Sequence, residues 1–238
     1  MKVALLNNSG NVGKTTIARE VLAVNLDNPV LLEIETHNAG NESFKDYFNE
    51  YYKKSADEID EIYEILAMND EVIVDIGASN MLEFFKKLNE YGIETIFDAI
   101  VIPVVGDIKQ IKDTLKTINM LINLGYHADK IFVIPNRVKN ITTFEKDFAV
   151  LVKASNDIGF HFNKDLAIKE TTIFRDLEAF NKTLKDVLND NTDYIKLAKE
   201  NPQEKQKYIR LDLVKRGGKR LHKDLLRVFE YIKSNIKE

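Results

Sequence analysis

Apolar residues gather in short unbroken runs separated by longer amphipathic stretches. That is the pattern of parallel strands covered on both faces and joined by surface helices. The runs are Val3–Leu6, Val30–Glu35, Glu71–Ile76, Asp98–Val104 and Lys130–Pro135. Between them the spacing predicts a helix over Thr15–Leu26, two polar helices within Asn41–Met68, and a helix over Met81–Tyr91 that leads to Gly92. The first polar helix would carry Phe44, Tyr47, Phe48 and Tyr51 on one face, for the core or for a partner; the second would carry Ile59, Ile62 and Leu66. A long helix opens at Gly106-Asp107, sets Ile108, Ile111, Leu115, Ile118 and Ile122 at helical spacing, and ends at Gly125. Strand and helix alternation of this kind predicts an α/β fold, a mostly parallel sheet with helices on both faces.

Past Ile141 the pattern weakens. Asp157–Lys169 reads as a short strand pair or loop, and Asn201-Pro202 breaks a helical, charge-rich portion from about residue 190 onward. The terminal helix places Leu221, Leu225, Val228, Phe229, Ile232 and Ile236 on one side. At 238 residues the expectation is one domain spanning 1–238.

Composition narrows the chemistry. Hydrophobic content of 44% and charged content of 30% suit a soluble globular chain, and no run reaches the roughly 20 apolar residues of a membrane helix. With no signal peptide before the first strand, a cytoplasmic location is expected. The absence of cysteine excludes disulfides, zinc-thiolate sites and thiolate-held iron–sulfur clusters. A net charge of −4 leaves room for a local basic surface, and Lys205, Lys207, Arg210, Lys215, Arg216, Lys219, Arg220 and Lys223 cluster around Gly217-Gly218. That cluster is either a DNA-phosphate surface or a solvated face.

The chemistry concentrates where the first strand breaks into Asn7-Asn8-Ser9-Gly10-Asn11-Val12-Gly13-Lys14-Thr15-Thr16. Strand, glycine loop and helix make a phosphate loop: Gly10 and Gly13 turn backbone N–H groups inward, the helix start adds positive potential, and Lys14 can reach β- and γ-phosphates. Thr15 is then placed to ligate Mg²⁺. Glu71–Gly77 supplies a second signal, an apolar strand ending in Asp75, whose carboxylate would hold the Mg²⁺ shell, with Gly77 free to swing toward a γ-phosphate. Glu33, Glu35, His37 and Asn38 gather at the carboxyl end of the second strand, where open α/β sheets place ligands. Asn136-Arg137 follows the fifth strand, where Asn136 after Pro135 reads by itself as a turn residue.

Asn7–Thr16 resembles, without gaps, the deviant phosphate loop of the ParA/MinD ATPases, usually Lys-Gly-Gly-Val-Gly-Lys-Thr-Thr. Ser9 stands where that family carries a signature lysine that reaches a dimer partner's nucleotide, and Asn11 replaces the second glycine. The wording LNNSGNVGKTTIAR together with DIGASN looks most like the StbB/TraL proteins of plasmid stability and conjugation, over roughly the first 190 residues. The resemblance implies ATP and Mg²⁺ as ligands, with Ser9, Gly10, Asn11, Val12, Gly13, Lys14, Thr15, Thr16, Gly77 and Asn136 at the nucleotide. Lys14, Glu35 and Asp75 would act in hydrolysis, Glu35 positioning water as the second acid of an Asp-x-Asp switch. Asn136 would face the adenine, and Ile168–Arg175 would border the base.

It also implies slow turnover, a partner protein from a partition or conjugation system, nonspecific DNA binding through the basic cluster, and a dimer that Ser9 puts in question. Lys2 or Arg137 could restore the missing charge. Relatives bind membranes through a terminal amphipathic helix, for which Arg227, Lys233 and Lys237 are suited, although packing on the sheet accounts for the same stripe. The rival readings are a small-molecule kinase or ATP-dependent ligase on the same fold, and a nucleotide-binding module without hydrolysis.

Overall fold

The structure, a computed structural model, describes residues 1–9, 11–35 and 47–236. Gly10, His37, Asn38, Phe44 and Lys237 lie outside the described residues. In chain order the main elements begin with β1 (Lys2–Leu6), α1 (Lys14–Ile17), β2 (Val30–Ile34), β3 (Glu50–Lys54) and α2 (Ile59–Met68). They continue through β4 (Val72–Ile76), α3 (Met81–Glu90), β5 (Ala99–Val104), α4 (Ile108–Asn123), β6 (Ile131–Pro135), α5 (Phe144–Asp147) and α6 (Ala149–Ile158). The chain closes with α7 (Ile173–Ala179), α8 (Leu184–Asn189), α9 (Tyr194–Glu200) and α10 (Lys205–Asn235).

Six parallel strands form one sheet in the order β3-β2-β4-β1-β5-β6. Period-2 alternation splits each central strand between two cores. Ala4, Leu6, Leu32, Val74, Ile76, Ile100 and Ile102 pack with α2, α3, α4 and α6 on one face; Val3, Leu5, Leu31, Ile73, Val101 and Ile134 pack on the other with the first helix and α10. Both faces being covered, these strands read as continuous apolar runs, and strand order reverses between β4 and β5 around β1. Carboxyl ends at such a reversal form the crevice in which α/β sheets take ligands.

Three expectations need correction. Tyr51 belongs to the edge strand β3, parallel to β2, and not to a helix. Tyr51 and Tyr52 pack against opposite cores; adjacent aromatics on the two faces satisfy a strand, for which tyrosine is well suited, and the i, i+3, i+4 match was coincidental. Lys53 and Lys54 charge the exposed edge.

The first helix is also not uniform: α1 passes into a π-helical stretch, Ala18–Leu22, and a 3-10 turn, Ala23–Asn25. The under-wound stretch buries Glu20, Val21 and Leu22 in succession, and Ala23 at the start of the 3-10 turn continues the run. Finally, Asp157–Lys169 forms no strand pair. It adds isolated parallel bridges to the β6 edge, Phe132 with His161 and Val138 with Lys169.

The terminal helix is one continuous rod through Gly217 and Gly218. Its tolerance of two glycines is explained by packing: a Cβ on Gly218 would lie 2.9 Å from Val187 Cγ1, and one on Gly217 2.5 Å from Ile173 Cδ1. Leu225, Val228, Phe229 and Ile232 are buried against the sheet, so these residues of the apolar stripe belong to the core. No helix among the described residues is long and apolar enough to cross a membrane.

Candidate nucleotide site

The loop after β1 is fixed by side chains from three directions. Asn7, buried to 1% exposure, donates from Nδ2 to the Pro103 carbonyl on β5 and to Thr114 Oγ1 (3.4 Å) on α4. Its Oδ1 accepts the Ser9 backbone N–H at 2.8 Å, closing an Asx turn at the loop's start. Ser9 Oγ donates to Asp113 Oδ2 on α4, also at 2.8 Å. On the far side, Asn136 Nδ2 donates to the Val12 carbonyl at 2.8 Å while its Oδ1 accepts from Arg137 N.

Backbone conformation explains the two unusual loop residues. Asn11 has φ 60° and Gly13 φ 94°. Asparagine is among the few side chains that enter this left-handed region, so Asn11 can stand where the resembling loops carry glycine. Gly13 has no such latitude, because a Cβ there would overlap the Asn136 amide. Val12, 1% exposed, anchors the turn in the interior, and the Ile17 N–H to Gly13 carbonyl bond starts α1.

The charged centre lies at the carboxyl ends of β1, β2 and β4. Lys14 Nζ reaches across to Asp75 Oδ1 at 2.9 Å and donates to the Ile76 carbonyl at 2.7 Å. Asp75 is the register partner of Leu5 on β1 and of Glu33 on β2. Thr15, Glu33 and Asp75 line one small cavity with Arg19, Leu31 and Phe48.

Glu35 follows on the same face as Glu33 and covers Gly77: a Cβ on Gly77 would sit 3.1 Å from Glu35 Cγ and 3.3 Å from the Ile34 carbonyl. Gly77 N donates to that carbonyl, extending the ladder beyond β4. Thr15 and Thr16 both line a second cavity, of about 590 Å³, with Arg19, Glu20, Phe174, Arg175, Glu178 and Asp186 among others.

Two of these acids are displaced from ordinary carboxylate behaviour. Burial pushes Glu33 up, reinforced by the charges of Asp75 and Glu35, and the Tyr51 hydroxyl, donating to Oε2 at 2.7 Å, only partly opposes it. Burial likewise pushes Glu20 up, against the Tyr47 hydroxyl bond (2.5 Å) and the Arg19 charge.

Sequence reasoning thus brings Lys14, Thr15, Asp75, Glu35 and Gly77 to one crevice, with Ser9, Asn11, Val12, Gly13 and Thr16 around its loop. Asn136 is 5% exposed, and its amide is engaged with the loop backbone at the Val12 carbonyl. Lys2 begins β1, roughly 15 Å of strand away from the loop of its own chain, and donates from its backbone to Asp98. Asn7, Asp113, Thr114 and Tyr51 were missed. A buried Glu33 inside an apolar strand was the one readable sign of Tyr51's role; nothing in the helical spacing of α4 marks Asp113.

Four members of the basic cluster on α10 are engaged by acids. Lys207 pairs with Glu204 (3.0 Å), Arg210 with Asp176 (2.6 Å), Lys215 with Asp190 (4.0 Å) and Arg216 with Asp212 (2.6 Å). Among the described residues, Lys205, Lys219, Arg220 and Lys223 form no ion pair.

No family model matches the chain, and no curated protein matches its sequence. Its fold is similar to solved structures. A ParA family ATPase from Chlorobium tepidum superposes with a TM-score of 0.52 at 14% identity, over 76% of this chain and 93% of that one. A MinC:MinD cell division protein complex from Aquifex aeolicus gives 0.51 at 14% identity, over 90% and 94%. MinD alone from the same organism gives 0.50 at 14%, over 90% and 95%. At such identity these likenesses establish the fold, the P-loop α/β architecture of ParA and MinD, and leave the chemistry to the residues.

Proposed function

We propose that this chain is an ATP-dependent switch of the ParA/MinD type, binding ATP with Mg²⁺ at the loop after β1 and hydrolysing it slowly. The observation that carries the reading is the 2.9 Å approach of Lys14 to Asp75 beside Thr15, at the reversal point of the sheet. A cation for phosphate oxygens, a hydroxyl and a carboxylate there form the donor set of a nucleotide–magnesium site.

The donors fit the metal. Thr15 and Asp75 offer hard oxygens, and among the described residues no group of three or more His, Asp or Glu could hold a metal ion by itself. A magnesium ion would therefore be shared with phosphate oxygens, and when bound it supplies neutralisation of the charge that develops on the transferred phosphoryl group. Lys14 exchanges its bond to Asp75 for the phosphates. The loop N–H groups after Asn11 hold the same charge, and Glu35, resting on Gly77, orients the attacking water.

Turnover is expected to be slow, because Lys14 is the sole cation from Asn7 to Thr16 and Ser9 offers no charge. The cavity beside Thr16 is suited to ribose and base, with Phe174 and Arg175 for stacking. Partition or conjugation with a partner protein is the setting that the loop wording supports.

Calorimetry with ATP and Mg²⁺ tests the reading: the parent should release binding heat and Lys14→Ala should lose at least a hundredfold in affinity. ATP turnover by Glu35→Ala, with and without duplex DNA, then separates hydrolysis from mere binding. No heat from the parent, or equal affinity in Lys14→Ala, defeats the proposal. A nucleotide-holding module is favoured instead if Glu35→Ala and the parent share the same zero turnover.

A further inference from the structure

α4 grips the phosphate loop with two consecutive residues. Thr114, fully buried, meets Asn7; Asp113, on the adjoining position, accepts the Ser9 hydroxyl at 2.8 Å. The contact spans more than a hundred residues of sequence and joins the start of the loop to a helix on one face of the sheet. Its other end is held by Asn136 at Val12. The loop is therefore strung between α4 and the end of β6, with Asn11 in a left-handed conformation between the two ties and Gly13 in another just past the second.

A hydrogen bond from a neutral hydroxyl to an ionised carboxylate is one of the stronger kinds, and it acts on a loop whose conformation is intrinsically costly. Asp113 is only partly exposed, and its second oxygen faces Lys116 at 3.3 Å, an outer pair at 71% lysine exposure that contributes little. The Ser9 hydroxyl is the main reason the Asp113 carboxyl lies below its ordinary value, with Lys116 and Lys109 adding to it.

We propose that Asp113 is a positioning residue for the phosphate loop, holding it through the Ser9 hydroxyl in the conformation that receives a polyphosphate. The serine at this position thus has a partner inside its own chain. The hydroxyl and carboxylate form one tie, so removing either end forfeits the same stabilisation. The proposal rests on the nucleotide reading for its ligand, while the tie itself is a property of the unliganded chain.

The test has two arms on the full chain. In the first, ATP–Mg²⁺ affinity is measured for Ser9→Ala, Asp113→Ala and the double variant. Each should weaken binding about tenfold, the double no more than either single, as expected for a shared charge-assisted bond. Asp113→Asn keeps an acceptor for the hydroxyl and should restore affinity to within about threefold of the parent, and Lys116→Ala should leave it unchanged. In the second, amide hydrogen exchange over residues 9–13 is followed without nucleotide, and both alanine variants should exchange faster than the parent and Asp113→Asn. Additive losses, an asparagine as damaging as alanine, or unchanged exchange would overturn the proposal. Faster exchange in a chain whose parent takes up no ATP would uphold the tie and reject the nucleotide reading.

Discussion

Charge is handled in opposite ways at the two ends of the described chain. Around the phosphate loop one ammonium, Lys14, sits among the partly buried carboxylates Asp75, Glu33 and Glu35, and the acids outnumber it. Along α10 the basic side chains are more numerous, yet Lys207, Arg210, Lys215 and Arg216 each lie against an acid, mostly at the surface. A sequence count of cations would rank α10 as the anion site. The loop charges are held in place by the fold, whereas half of the α10 cluster is paired with acids, mostly at the surface, where a pair contributes about 0–1 kcal/mol.

The loop end of this contrast breaks most sharply at Gly13. Gly13→Ala places a side chain at φ 94° and into the Asn136 amide, so stability should fall by about 2–4 kcal/mol and nucleotide binding should be lost; urea unfolding and calorimetry check it. The glycines of α10 make the milder counterpart. Gly218→Ala gains about 1 kcal/mol in helix propensity but loses about 1–3 kcal/mol by crowding Val187, a net loss of about 1 kcal/mol. Gly217→Ala meets only the mobile end of Ile173 and should be near neutral. Equal losses at the two positions would contradict the packing account of the rod.

Burial of acid beside the first helix gives a prediction of opposite sign. Glu20 holds its proton more tightly in the folded chain than the ordinary value of 4.5, so folding binds protons and stability falls as pH rises through the window above that value. Glu20→Gln should therefore raise stability by about 1 kcal/mol at neutral pH, while Gln still accepts from Tyr47. Below the ordinary carboxylate range both forms are uncharged and the gain should vanish. A thermal melt series across pH checks this, and a gain that persists at low pH would point to packing instead.

The smallest effects belong to the helix surface. Arg216→Ala should change stability by less than about 0.5 kcal/mol. Charge reversal at Lys215, Arg216, Lys219 and Arg220 should abolish any duplex binding, read by fluorescence anisotropy at low salt on protein whose helical circular dichroism matches the parent. Unchanged binding would move that surface away from α10.

The residues themselves determined a good deal. Unbroken apolar runs fixed β1, β2, β4, β5 and β6 as strands covered on both faces, since a chain that must bury both sides of a strand leaves no polar alternation. The order Gly-Lys-Thr, then apolar strand ending in Asp75, placed Lys14 and Asp75 together because parallel neighbours bring carboxyl ends to one edge. What tertiary structure alone decided were long-range pairings with no local signature: Tyr51 on an edge strand with its hydroxyl on Glu33, Asn136 tied to Val12, Asp113 holding Ser9, and α10 running unbroken through two glycines. Each depends on which surfaces meet across the fold, and periodicity within one segment carries no information about its neighbour in space.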